Sequence, residues 1–327
     1  MAVGTAIGLD IGGTKIAAGL VGDDGTVLRR LVRATPGHHA SAVESAVVDL
    51  VRELAAAGGG VAGEVPVGVG AAGWMDPATG TVLFSPHLAW RNEPLRDRLE
   101  ALLGGAVSVV NDADAAGWAE WRFGAGQGEE QFVCLTLGTG IGGALVIDGV
   151  LRRGRHGVAG EFGHQVIVPG GHRCECGNRG CWEQYASGNA LGREGREMAR
   201  AGSPVAHALL EAAGGDPDAI DGELVTRLAL EGDPASNELV REAGEWLGLG
   251  LANLAAALDP GTFVVGGGLG SASPVLLETA EASYRRQLTG RGYRPFARVL
   301  RARLGADAGL VGAADLARAE RRQLAGR

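Results

Sequence analysis

The chain has 327 residues, a formal net charge of -8 and 57 glycines. That length exceeds what a single core covers comfortably, so two domains are expected, and the acid excess with no Lys/Arg-rich run excludes a nucleic-acid footprint. No 18-residue apolar run is present to span a bilayer, and Met1 to Leu9 lacks the basic residues of a signal peptide, so the chain reads as soluble, cytoplasmic and directed at small molecules.

Residues 5–33 read as three strands joined in hairpins. In the first hairpin, Ile7 to Ile11 and Ile16 to Val21 flank Gly12-Gly13-Thr14-Lys15. Gly12 and Gly13, lacking side chains, let backbone N–H groups approach an anion, and Asp10 at the strand end can hold a hydrated Mg2+. An ordinary tight hairpin has the same pattern. No Gly-x4-Gly-Lys-Ser/Thr occurs, which excludes a P-loop, and no helix follows the glycines as a dinucleotide fingerprint requires. Lys15 is the only lysine among 30 basic residues. Either a compact ammonium is required there or a lysine has survived at a tolerant position.

Ala40 to Ala57 then predicts a helix, and Val65 to Gly70 and Ala106 to Val110 predict strands, with the small domain ending at 110. Val109-Val110-Asn111-Asp112-Ala113-Asp114 turns a strand into a helix and puts polar groups at the strand's C-terminal edge, where α/β proteins bind ligands. Asp112 is the candidate base, taking a hydroxyl proton as that oxygen attacks a γ-phosphorus; its alternative role is the helix N-cap. Asp114 reads as a cap or a first-turn acid, and burial close to Asp112 would raise the pair's apparent pKa.

A second strand–glycine–strand segment, Cys134 to Ile147 around Gly138-Thr139-Gly140, repeats the first and suggests a duplicated domain. Facing each other across a cleft, the two hairpins would grip one polyphosphate. Cys134 itself reads as a small buried hydrophobe. Next come His164, Cys174, Cys176 and Cys181, four soft or borderline donors of the number that tetrahedral zinc requires, in a chain expected in a reducing compartment. His172 competes with His164 on spacing. His38, His39, His87, His156 and His207 belong to no such constellation, and Trp74 and Trp90 are packing residues or flank a sugar. Helical stretches around 184–201 and 236–258 lead to a strand at 262–266 and a third glycine run, Gly266-Gly267-Gly268, which either receives a flat purine or is a flexible connection. The stretch Gly309 to Ala317 looks helical and is expected to pack back on the small domain.

Asp10-x-Gly-Gly-Thr-Lys15, Asn111-Asp112-Ala113, Leu137-Gly-Thr-Gly-x-Gly-Gly143, Glu161-Phe-Gly-His164 and Cys174-x-Cys-Gly-x2-Gly-Cys-Trp-Glu183 together resemble the ROK family of repressors, open reading frames and sugar kinases, nearly end to end. Cys181 to Gly188 and the segment near Gly309 look most like the family's actinobacterial glucose kinases. The resemblance implies a two-domain actin-like (ribonuclease H-like) α/β fold with a cleft. Its small domain would be 1–110, joined by a C-terminal helix at 306–327, and its large domain 111–305, with the zinc loop and dimerisation helices. It implies transfer of the γ-phosphate of Mg-ATP to the 6-hydroxyl of glucose by a homodimer or homotetramer. Asn111, Asp112, Glu161, His164 and Glu183 would hold sugar hydroxyls beside Gly73, with Asp112 the base. Asp10, Gly12, Gly13, Thr14, Lys15, Gly138, Thr139, Gly140, Gly266, Gly267 and Gly268 would hold the nucleotide, and His164, Cys174, Cys176 and Cys181 a structural Zn2+. His164 would then serve metal and sugar through its two ring nitrogens.

The loop Gly70-Ala71-Ala72-Gly73 departs from the family's commoner Gly-x-Pro-Gly, and Asp114 stands where Asn is frequent. Rival readings are a kinase for another hexose or N-acetylhexosamine, a polyphosphate or ADP donor, an idle sugar sensor, and a repressor. The repressor would need a helix-turn-helix ahead of the first hairpin.

Overall fold

The structure, a computed structural model, describes residues 4–37, 39–85, 88 and 90–325, so the readings of His38 and His87 fall outside the described residues. Contacts divide the chain into two compact units. The first is Met1–Gly128 with Ala144–Gly160 and Ala306–Arg327; the second is Glu129–Gly143 with Glu161–Gly305.

The first unit opens with strands β1 (Ala6–Ile11), β2 (Lys15–Val21) and β3 (Val27–Ala34) and helix α1 (Ala40–Ala57). Strand β4 (Val67–Ala71) follows, then three short strands β5 (Trp74–Asp76), β6 (Thr81–Phe84) and β7 (Arg91–Glu93), helix α2 (Leu95–Leu103), β8 (Val107–Asn111) and α3 (Asp112–Phe123). The main sheet runs β3-β2-β1-β4-β8, antiparallel across β1, β2 and β3 and parallel across β1, β4 and β8. Every residue of β4 is buried, as expected of a parallel strand covered on both faces. On one face, Val43, Val47, Leu50, Val51 and Leu54 of α1 recur at helical spacing and sit in the same apolar cluster as Ile7, Leu9, Val67 and Val69.

The opposite face is covered at unusually short range by a helix from far along the chain, Ala308–Ala325, which is α11 in chain order. A β-carbon at Gly8 would stand 1.8 Å from the Leu310 carbonyl oxygen, one at Gly68 1.9 Å from that of Ala313, and one at Gly312 1.8 Å from that of Ala115 in α3. Helix backbone thus rests directly on sheet and helix backbone, which only glycine permits. Arg318, 4% exposed, ties the helix down by donating to the carbonyls of Gly4, Val21 and Gly22 and to Asp315. Helix α3, beyond the boundary expected at 110, lies with this unit because it shares that contact with α11.

The second unit contains β9 (Gln131–Leu137), and its boundary with the first falls inside β10 (Ile141–Ile147), which leads to β11 (Val150–Leu151). Helices α4 (Glu183–Ala186), α5 (Gly188–Arg200), α6 (His207–Ala212), α7 (Gly222–Leu230) and α8 (Pro234–Leu258) precede β12 (Thr262–Gly266), α9 (Gly267–Ala272), α10 (Pro274–Gln287) and β13 (Arg298–Arg301). The sheet order β11-β10-β9-β12-β13 repeats that of β3-β2-β1-β4-β8 strand for strand, as a duplication requires. Cys134, 1% exposed on β9, is the buried hydrophobe expected. Among the described residues no helix is long and apolar enough to cross a membrane.

Candidate active site and metal centre

Three groups converge in the first unit. At the end of β1, the Gly12 N–H donates to the Lys15 carbonyl at 3.0 Å and Thr35 Oγ1 donates to the Gly12 carbonyl at 2.7 Å, closing the first glycine turn with Gly13, Thr14 and Lys15 exposed. Asp10 lies just before it, against α11. A β-carbon at Gly309 would stand 2.6 Å from Asp10 Oδ2, so this glycine makes room for the carboxylate. Burial pushes Asp10 up from 3.8 to about 7, with the negative charge of Asp112 adding to the rise and Lys15 opposing it. Asp10 and Asp112 therefore feel each other's charge, although they are far apart in sequence.

At the junction of β8 and α3, the N-cap is Asn111, whose Oδ1 accepts from the Asp114 N–H at 3.0 Å. The capping role considered for Asp112 is thereby taken by its neighbour, and Asp112 is the first, part-exposed residue of the helix. Asn111 Nδ2 also donates to the Gly73 carbonyl at 3.1 Å, joining two of the residues expected beside the sugar. Gly73 has φ +130°, and a β-carbon there would lie 2.3 Å from the Phe84 carbonyl oxygen. Trp90 is 1% exposed in the core and Trp74 packs against Phe84 in a tilted pair with centroids 5.6 Å apart, so Trp90 is a packing residue and Trp74 has a ring partner of its own.

Asp114 is a first-turn acid of α3, one of the two roles expected of it, but it is not the cap and it is buried. It is 4% exposed and accepts from Arg153 Nε at 3.0 Å, a partner that sequence reading missed because Arg153 is one of three arginines in Arg152-Arg153-Gly154-Arg155. Burial pushes its carboxyl up to about 6 against the lowering effect of Arg153, with Asp112 a smaller upward influence. Arg153→Ala should destabilise the protein by about 2–3 kcal/mol at pH 8, where Asp114 is ionised and would be left unpaired. The difference from wild type should shrink at pH 5, where Asp114 is protonated in both proteins; urea unfolding at the two pH values measures it.

In the second unit, the Gly138 N–H donates to the Gly140 carbonyl at 3.1 Å and closes the second glycine turn. Strand β12 brings the third glycine run to its side, since Gly266 is in register with Thr136 of β9. Gly267, at φ +80°, could carry no side chain, as a β-carbon would lie 2.3 Å from the Leu137 carbonyl oxygen, whereas Gly268 faces open space.

The cysteine block folds as a knot with little regular structure, fixed by the Cys174 N–H bond to the Asn178 carbonyl and by left-handed glycines at 177 and 180. Ligand atoms of His164, Cys174, Cys176 and Cys181 all lie within 4.8 Å of one another. His172 is absent from the group and instead packs against Tyr185 in a tilted pair with centroids 5.2 Å apart. Cys174 Sγ lies 3.6 Å from His164 Nδ1, and Cys176 Sγ lies 3.6 Å from Cys181 Sγ. These separations fit the edges of a tetrahedron around one Zn2+. Burial pushes the Cys174 thiol strongly upward and that of Cys181 up to about 11, an unfavourable setting for thiolates unless a cation compensates them. The donor set therefore fits zinc. Around it, His164 Nε2 points to Glu161 Oε2 at 3.8 Å, and Glu183 Oε1 lies 3.4 Å from His164 Nδ1 and 3.1 Å from Cys174 Sγ. Trp182, fully buried, donates its Nε1–H to the Trp246 carbonyl and fills a notch at Gly250 of α8.

The sequence profile of the ROK family matches residues 6–320. The chain belongs to the ROK family. It is 47% identical over 317 residues to a glucokinase of Streptomyces coelicolor, covering 97% of this chain and 98% of that one. The crystal structure of a ROK family glucokinase from Streptomyces griseus in complex with glucose and AMPPNP superposes with a TM-score of 0.88 at 48% identity, over 97% of this chain and all of the other. A ROK hexokinase from Thermus thermophilus gives 0.80 at 37% identity, over 98% and 99% of the two chains. The ROK chain therefore has the actin-like sugar kinase fold expected from its motifs, with the repeated sheet order of its two units as the local signature.

Proposed function

We propose that this ROK chain is an ATP-dependent glucokinase that transfers the γ-phosphate of Mg-ATP to the 6-hydroxyl of glucose. The observation carrying the reading is the division of labour at α3: Asn111 caps the helix and holds Gly73, while Asp112 stands first in the helix beside Asp10. A carboxylate not committed to capping is what a general base for a sugar hydroxyl needs, and Asp112 would accept the 6-hydroxyl proton as that oxygen attacks phosphorus. The glucokinase relatives from Streptomyces support glucose as the acceptor and ATP as the donor.

Lys15 and the backbone amides of Gly12 and Gly13 would hold phosphate oxygens on one unit; Gly138 to Gly140 would do so on the other, with Gly266 to Gly268 beside the purine. Mg2+ carried in with ATP would neutralise phosphate charge, and Asp10 would hold it. Glu161, His164 and Glu183 would bond the sugar hydroxyls, so that an epimer leaves buried polar groups unpaired and is rejected. His164 and the three thiolates would hold a zinc ion that fixes the loop bearing them and, with four protein donors, would supply no chemistry of its own.

Phosphorylation assays across glucose, mannose, fructose, N-acetylglucosamine and N-acetylmannosamine, with ATP, ADP or polyphosphate, test this reading. Glucose with ATP should give the highest kcat/KM, and preference for another pair would overturn it. Metal analysis should find about one zinc per chain. Cys176→Ser should lose it together with glucose affinity; unchanged glucose binding in the zinc-free protein would refute the link between metal and sugar.

A further inference from the structure

The second glycine turn, Gly138 to Ile141, is supported at each of its residues by the segment 161–189 that contains the metal donors. A β-carbon at Gly163, between Glu161 and His164, would stand 2.2 Å from the Ile141 carbonyl oxygen, so the His164 turn lies flat on the strand leaving the hairpin. At Gly140, a β-carbon would lie 2.6 Å from Glu183 Oε2. The other oxygen of the same carboxylate, Oε1, is the one 3.1 Å from Cys174 Sγ and 3.4 Å from His164 Nδ1. Finally, the Gly188 N–H donates to the Gly138 carbonyl at 2.8 Å and the Asn189 N–H to the Thr139 carbonyl at 3.2 Å, from the start of the helix that follows α4 and Glu183.

We propose that the metal-binding loop clasps the phosphate hairpin, with Glu183 as the positioning residue between them, so that the metal governs the nucleotide side of the site as well as the sugar side. Within the hairpin turn the Gly138 N–H bonds to the Gly140 carbonyl, and four glycines at 138, 140, 142 and 143 give it little intrinsic stiffness. Its shape comes from outside. The knot that clasps it is itself short of backbone ladders, its bridges being single pairs at Val166 with Cys181 and at Arg173 with Arg179. Removing the ion at its centre would open the knot locally and release these supports, without disturbing the sheet behind.

The proposal rests on the kinase reading for what the hairpin binds, but its central test needs no substrate. Hydrogen–deuterium exchange is compared between zinc-loaded protein, the same protein treated with 1,10-phenanthroline, and Cys176→Ser. Amides in 138–143 should exchange about tenfold faster without the metal and recover when Zn2+ is returned to the chelated protein, while β12 keeps its protection. Glu183→Ala, verified to retain zinc, should also speed exchange in the hairpin. A second measurement, titration of Mg2+ with a non-hydrolysable ATP analogue and no sugar, should give a Kd about tenfold weaker after zinc removal. Unchanged hairpin exchange without zinc overturns the proposal, and so does equal loss of protection in β12, which would show the metal holding the whole unit. Failure of the wild type to phosphorylate glucose would sink the kinase reading alone, since the exchange result stands apart from it.

Discussion

Asp112→Asn should lower kcat for glucose phosphorylation by about a thousandfold, with glucose Kd changed by no more than about threefold. The substitution keeps size and shape, and Asn111 still caps α3, so the helix start is unaffected. It removes the capacity to accept a proton, together with the negative charge that raises Asp10 and Asp114. Loss of kcat without loss of binding is the pattern of an interaction made in the transition state. Calorimetric titration of glucose alongside initial rates would separate the two quantities. A variant with near wild-type kcat would remove Asp112 from the mechanism; one that lost glucose binding instead would make it a sugar-holding group.

Asp10→Asn should move activity and stability in opposite directions. Activity should fall by about a hundredfold or more, because the carboxylate proposed to hold Mg2+ is gone. The free protein at pH 8 should become more stable by about 1–3 kcal/mol. The sign follows from a carboxyl raised from 3.8 in the unfolded chain to about 7 in the folded one. Below pH 4 it is protonated in both states and nothing is lost. As pH rises from 4 through 7 the unfolded chain ionises readily while the folded one resists, so its contribution to stability is progressively lost. Asparagine never ionises, so the Tm difference between variant and wild type should be small at pH 4 and reach roughly 3–6 °C at pH 8. A constant difference across that range would show that the Asp10 charge is not what strains the folded state. Uptake of Mg-nucleotide should correspondingly release a proton near pH 6.5 in the wild type, visible as a buffer-dependent binding enthalpy, and release none in the variant.

Much of this site is written in local sequence because its parts are local. Glycine turns between apolar strands, a strand running into a polar helix start, and thiols at short spacing are each decided by neighbours a few residues apart. The extent of α1 and the strands of both hairpins were legible for that reason. Strands β5, β6 and β7 were not, since three or four residues carry too little periodicity to register. Arg153 as the partner of Asp114, Gly309 as the space for Asp10, and Glu183 against Gly140 are long-range pairings. No spacing rule connects residue 10 to residue 309. The role of Asn111 as cap was hidden differently: Asn111, Asp112 and Asp114 are all good caps, and only backbone geometry chooses among them.

The contact of α11 with the first sheet bears on how the protein is made. Gly8 and Gly68 leave two bare strips along β1 and β4 that only the backbone of α11 fills. During synthesis these strands emerge early and their covering helix late, after the whole second unit has left the ribosome. Until then the part of the sheet face that α11 covers lacks its native partner, and that is the period in which it is open to chaperones or to mispairing with other chains. Release of a polypeptide stopped before Ala308 would leave the same face uncovered permanently, so the first unit completes its fold only after translation has passed α11.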